Sequence, residues 1–207
     1  MIVVHHLENS RSQRVLWLLE ELGLPYEVRR YERDGKTMLA PPELRRVHPL
    51  GKSPAIEDDG RIIAESGAIV EYLVEKAEGR LGPPANRDSV LRYRHFLHYA
   101  EGSMMPLLFA LLVVNRLGIL GRPARAPIQK MLDQHLDWLE TELASRAWFA
   151  GNEFTAADIM MSFPLEASRS RAGLGTSRPN LIDWLERIHA RPAYAEALAK
   201  GGPYAYA

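Results

Sequence analysis

The chain has 207 residues and no cysteine, so disulfides, thiolate metal sites and an enzyme-borne thiol nucleophile are excluded. At that length it can bury a sizeable core without staples, as one large domain or two small ones. Its 26 Lys and Arg balance 26 Asp and Glu, so no net basic field invites nucleic acid or an anionic membrane.

The N-terminus has neither the basic start nor the apolar core of a signal peptide. The longest apolar run, Met104 to Val114, contains Pro106 and falls well short of the ~20 residues that span a bilayer. It reads as a buried helix. Lack of cysteine favours a reducing compartment, and we expect a soluble, cytoplasmic protein.

Up to about Lys76, strand-like and helix-like segments alternate. Ile2 to His6 is a strand candidate, rich in β-branched residues. Arg11 to Leu22 carries Val15, Leu18, Leu19 and Leu22 at helical spacing and stops at Gly23-Leu24-Pro25. Tyr26 to Tyr31 reads as a second strand, and Pro42 to Arg46 as a short helix. Ala55 to Glu57 and Arg61 to Ile63 are two further strands, with Asp59-Gly60 as the hairpin signal between them. Ser66 to Ala77 closes this half as a helix.

Gly79 to Asn86 holds two glycines and two prolines and reads as a linker. Beyond it no strand is evident. Helices are expected over Arg87–Arg116, Ala126–Ser145, Ala156–Ser168, Asn180–His189 and Ala193–Lys200, punctuated by Pro123, Gly151, Gly173, Gly175 and Pro192. The expected organisation is an α/β domain over 1–78, a linker over 79–86 and an all-helical domain over 87–207, with the Tyr204 and Tyr206 side chains at the surface.

Two short elements carry the chemistry. Gly51-Lys52-Ser53-Pro54 places a proline at the entry to a strand, a candidate cis bond that turns backbone polar groups toward a short extended peptide. Glu65-Ser66-Gly67-Ala68-Ile69 places an acid and a hydroxyl at a helix start, where free N–H groups and the positive dipole end suit a carboxylate. Each has a plainer reading: Pro54 as an ordinary strand-entry proline, and Ser66 as an N-cap with Glu65 a favourable acid beside it. Together they describe a site for a small, anionic, peptide-like ligand.

Asn9-Ser10-Arg11-Ser12 lies between the first strand and the first helix. A hydroxyl there can donate to a ligand's thiolate. The competing reading is a capping box, with Ser10 bonded to its own helix near Gln13. Taken alone, the segment favours capping.

In this setting the chain resembles the soluble glutathione transferase superfamily over nearly its full length. Gly51-Lys52-Ser53-Pro54 looks like the family's cis-proline loop, Glu65 to Ile69 its glutathione-binding helix start, and Thr155-Ala156-Ala157-Asp158 its structural capping box. His6 to Ser12, followed by Arg14 to Gly23, is similar to bacterial and fungal members. The resemblance implies a thioredoxin-like N-terminal domain plus an all-α C-terminal domain. It also implies a homodimer, a detoxification role and glutathione as co-substrate, with no metal.

Residue by residue, the resemblance gives Ser66 the γ-glutamyl carboxylate and Glu65 the amine. Ser53 and Pro54 take the cysteinyl backbone, Lys52 the glycyl carboxylate, and Ser10 the sulfur, with Asn9 and Ser12 as alternatives. No Tyr precedes Tyr26, so a serine-type or asparagine-assisted site is expected. Glu101 is a candidate for glutathione's amine across a subunit interface. Tyr99, Met104, Met105 and Phe109 are candidates, by position, for an electrophile pocket, although core packing competes. His95-x-x-His98-x-x-Glu101 has metal-ligand spacing without further support.

The implied activity is conjugation of glutathione to a small hydrophobic electrophile. Glutathione-dependent disulfide or peroxide reduction uses the same site. A non-catalytic binding or regulatory protein shares the same fold.

Overall fold

The computed structural model describes all 207 residues. Strand β1 (Ile2–Leu7) is buried along its whole length. A strand with no solvated face needs cover on both sides, and β1 accordingly lies inside a four-stranded sheet of order β2-β1-β3-β4. β2 (Tyr26–Tyr31) runs parallel to it, so the link between them must cross over. Helix α1 (Gln13–Leu22) makes that crossover and ends at Gly23, whose φ of 61° lets its N–H reach back to Glu20 and Leu19 carbonyls.

β3 (Ala55–Asp58) and β4 (Arg61–Ala64) form the expected antiparallel hairpin. Asp59 and Gly60 both take positive φ, 49° and 74°, the conformation a two-residue hairpin favours. A short α2 (Leu44–Val47) precedes the hairpin and α3 (Ser66–Lys76) follows it.

The chain divides into two compact units, residues 1–82 with 189–205 and Ala207, and residues 83–188 with Tyr206. The first unit therefore takes in α9 (Pro192–Gly201), which the sequence had placed in an 87–207 helical domain. Its buried face, Tyr194, Ala197 and Gly201, is covered by α1. The Trp17 and Tyr194 rings meet edge-on at 5.2 Å, and Arg191 donates two hydrogen bonds to Glu21 at 2.5 and 2.8 Å. Gly201 permits a close approach: a Cβ there would lie 2.8 Å from Gln13 Oε1 and 2.9 Å from Leu16 Cδ1, and those side-chain ends would have to shift.

The second unit is helical. Its centre is α7 (Ala156–Arg171), buried continuously from Ala156 to Ser168. Around it lie α4 (Arg87–Tyr99), α5 (Met105–Arg116), α6 (Arg122–Ala144) and α8 (Pro179–His189).

Four expectations need correction here. The single helix over 87–116 is broken by a π-helical turn at Ala100–Met104, because Pro106 cannot donate the backbone bond that would carry the α ladder through. The run after it is not a buried helix. Only the Met105, Leu108 and Leu111 stripe is covered, while Phe109 and Leu117 are 60% and 54% exposed. By length and composition alone, Arg87–Arg116 could cross a membrane, a test that core helices of soluble proteins also meet. Pro123 begins α6 rather than ending a segment, since a first-turn proline gives up no helical bond. Tyr204 and Tyr206, expected at the surface, are half-buried. Tyr206 packs edge-on to Phe163 at 5.5 Å and under the Arg171 guanidinium at 5.0 Å.

At the start of α7 the Thr155–Asp158 capping box is complete. The Asp158 carboxylate also accepts from Phe149 N at 3.0 Å and Trp184 Nε1 at 3.4 Å. Burial pushes this carboxyl up to about 6, so at pH 7.5 it is ionised, and its four partner groups, Thr155 N, Thr155 Oγ1, Phe149 N and Trp184 Nε1, are all donors. Asp158→Asn turns an amide donor toward them. It should destabilise the protein by about 3 kcal/mol, read as a lower denaturation midpoint at pH 7.5; an unchanged midpoint would refute this account.

Candidate functional site

The first unit gathers three segments near the end of β1: the 8–12 turn, the loop before β3 and the start of α3. The Ser53–Pro54 bond is cis. Ser53 Oγ donates to the His5 carbonyl at 2.8 Å and accepts from Leu7 N at 3.3 Å, so the loop is tied to β1 by a side chain. The backbone ladder between β1 and β3 begins only at His5 opposite Ala55.

The 8–12 turn is not the capping box its sequence favours. Asn9 takes a φ of 49°, and Ser12 stands at the N-cap of α1 without making a side-chain cap bond. Instead the Ser12 hydroxyl turns inward. It accepts from Leu7 N at 3.2 Å and lies 2.9 Å from His6 Nδ1 and 2.8 Å from Ser10 Oγ. Ser12 N donates to Ser10 Oγ at 3.2 Å. Gln13 does not reach back to Ser10; its amide is buried without a hydrogen-bond partner. The buried end of β1 needs those serine oxygens more than the helix terminus does, because the first-turn N–H groups have other means of satisfaction.

Ser66 is likewise not a cap. It is the first residue of α3, and the N-cap position is Glu65, at φ 73° and without a side-chain cap bond. A positive φ at glutamate is strained, and such strain gathers at functional sites. Ser66 is 4% exposed, and its Oγ accepts from Arg14 Nη2 at 3.0 Å. The hydroxyl thus lies at the positive end of α3, beside a buried guanidinium. An anion is the natural occupant of such a place.

Ser10, Ser12, Ser53, Pro54 and Ser66 are buried or half-buried in this unit, while Lys52 and Glu65 are exposed. Asn9 Oδ1 accepts from Ala205 N at 2.7 Å. The remaining candidates belong to the second unit. Tyr99 is buried, its hydroxyl bonded to His135 and its ring stacked on His95 at 5.4 Å. Met104 and Met105 are core residues, whereas Phe109 is exposed. Glu101 is half-exposed in the π-helical turn. His95, a member of the metal-like spacing, packs its ring against Phe96, Tyr99 and Trp138.

Sequence reasoning passed over His6 and Arg14. Arg14 had left a trace: it stands four residues before Leu18 and eight before Leu22, a cation on the apolar stripe of its helix. His6 left none, being one more residue of a buried strand.

Residues 10–76 match the family described as Glutathione S-transferase, N-terminal domain, and residues 122–187 its C-terminal domain. The chain is 38% identical to Glutathione S-transferase 3 of Schizosaccharomyces pombe, across 97% of this chain and 88% of the relative. Glutathione S-transferase 1 of Saccharomyces cerevisiae is 31% identical, across 97% and 95%. A solved glutathione S-transferase from Actinobacillus pleuropneumoniae superposes with a TM-score of 0.88 at 33% identity, covering 97% of this chain and 93% of that one. A sphingomonad glutathione S-transferase, solved with glutathione, shares the fold at a TM-score of 0.81 and 24% identity, covering 97% and 98%. The chain belongs to the glutathione S-transferase superfamily, with a thioredoxin-like first half and a helical second half.

His6 makes the turn sensitive to pH. Burial, then Arg30, pushes its imidazole down to about 4, against the opposing pull of the Gly201 backbone and Glu8. A histidine with a depressed folded value contributes stability fully above its unfolded value of 6.5 and loses it as pH falls toward 4. Relative to His6→Gln, the wild-type protein should lose about 2 kcal/mol of unfolding free energy between pH 7.5 and pH 5. Denaturant titrations at the two pH values measure this; parallel losses in both proteins would sink it.

Proposed function

We propose that the chain is a glutathione transferase: it binds glutathione in the first unit, ionises the thiol and conjugates it to a small hydrophobic electrophile. The observation that carries this reading is the pairing of two buried hydroxyls. Ser66 stands at the positive end of α3, and Ser10 at the end of the Ser12–His6 chain of bonds. Glutathione bound to the sphingomonad relative, and to one from Pseudomonas fluorescens, supports it.

In this reading Ser66 and its backbone N–H hold the γ-glutamyl carboxylate, and Glu65 the amine. Ser53, on the cis Pro54 bond, pairs with the cysteinyl backbone, and Lys52 reaches the glycyl carboxylate. Ser10 donates to the sulfur. Ser12 is the weaker alternative, since its hydroxyl is fully buried and already engaged. Asn9 remains a second donor in the same turn. A cytoplasmic homodimer with a detoxification role completes the proposal, Glu101 meeting the amine from the neighbouring subunit.

The chemistry can be sized. A free thiol of pKa ~8.5 is about 3% ionised at pH 7, and lowering it by ~2 units stabilises the thiolate by ~2.7 kcal/mol. Held against the electrophile, that thiolate is the nucleophile the protein itself lacks.

Glutathione titration, followed by thiolate ultraviolet absorbance across pH, tests the proposal. Saturable binding is expected with a thiol pKa well below ~8.5, and absence of binding would overturn the reading. Ser10→Ala should raise the bound thiol's pKa by about one unit or more and cut turnover about tenfold, with little change in Kd. Ser66→Ala should instead weaken binding by about tenfold. If Ser10→Ala turns over normally, the donor role passes to Asn9 or Ser12.

A further inference from the structure

Arg14 is a guanidinium with 1% exposure on the apolar stripe of α1. Such a group has five N–H donors, no acceptor, and keeps its charge in any protein setting. Its bond to Ser66 Oγ, at 3.0 Å, therefore has only one possible direction. Arg14 donates and Ser66 accepts. That fixes what the serine can still do, because a hydroxyl has a single proton and the guanidinium cannot take it.

The local helix does not take it either: the one hydrogen bond at Ser66 Oγ is the one accepted from Arg14, and no carbonyl of α3 or its approach receives the proton. Ile69 N is the first amide to bond back, to the Glu65 carbonyl at 2.9 Å. The N–H groups of Ser66, Gly67 and Ala68 thus precede the helical ladder, as in any helix start. The Ser66 O–H joins this set of donors. A group that accepts several donors at once, and returns none, is a carboxylate.

We infer that Arg14 is a positioning residue for recognition of the γ-glutamyl carboxylate, holding Ser66 Oγ as an acceptor so that its one proton is directed at the ligand. Arg14 itself touches the serine, not the ligand. The inference rests on the glutathione reading above. It adds that the specificity of this subsite is set from beneath, by a side chain on a different helix. A neutral partner such as Gln at position 14 could donate or accept through its amide and would leave the serine's direction open.

The test compares two ligands: glutathione, and 4-aminobutanoyl-cysteinyl-glycine, which lacks only the γ-glutamyl carboxylate. Dissociation constants are measured by calorimetry for the full-length protein and for Arg14→Met, Arg14→Lys, Ser66→Ala and the Arg14→Met, Ser66→Ala double variant. Arg14→Met should weaken glutathione about tenfold while leaving the truncated ligand within about twofold. Arg14→Lys keeps a donor on a long stem and should recover most of that loss. In the Ser66→Ala background, loss of Arg14 should cost glutathione nothing further.

Equal weakening of both ligands by Arg14→Met would make the arginine merely structural and overturn the inference. Fully additive losses in the double variant would do the same. Should Arg14→Met fail to fold, Arg14→Gln takes its place, with an intermediate loss confined to glutathione expected and equal losses again overturning it. Failure of the unaltered protein to bind glutathione is a separate outcome: it removes the glutathione reading, and this inference with it.

Discussion

β1 is covered on both faces and ends at His6 and Leu7, where backbone and imidazole polar groups are shut away from water. Those groups must be satisfied from inside, because burying them unpaired costs more than most contacts return. The Ser12 and Ser53 hydroxyls do this from two loops distant in sequence. The need to close the end of one strand fixes the path of the 8–12 turn and the entry to β3 together. It also sets where α1 begins, and hence where Arg14 meets Ser66. The candidate site follows from a folding requirement.

This arrangement separates two kinds of serine. Ser12 and Ser53 face the strand and are consumed by it. Ser10 and Ser66 are held by neighbours that donate to them, through Ser12 N and Arg14 respectively. Donation into a hydroxyl oxygen leaves the hydroxyl's own proton for a further partner. At Ser66 no protein group takes that proton, whereas Ser10 Oγ also lies 2.8 Å from Ser12 Oγ, where either hydroxyl can be the donor, so what the two positions share is the bond donated into the oxygen.

Legibility in the sequence tracked how local each cause is. Gly23, Asp59-Gly60 and Ser53-Pro54 announce backbone conformations that only a few residue types adopt readily, and all three are found. The Thr155–Asp158 box closes over three residues and is complete. The same pattern logic failed at Ser10–Gln13, since the group competing for Ser12 was a buried strand end that spacing does not reveal. It failed again at Ser66, whose partner comes from another helix. The amphipathic pattern of α9 predicted a helix but could not say which surface would cover it. The break at Ala100–Met104 was signalled by Pro106, a residue that reads equally well as the start of a new helix.

The membership of α9 in the first unit has a consequence for how that unit is made. The segment that covers Trp17 on α1 lies at residues 192–201, after all the helices of the second unit. A ribosome delivering the chain from its N-terminus exposes β1, α1 and the sheet long before that cover exists. The apolar back of α1 must wait, uncapped, through synthesis of more than half the protein. Residues 1–82 taken alone would carry the same bare surface, so the portion of chain that contains the candidate site is not a portion that can be cut free with its packing intact.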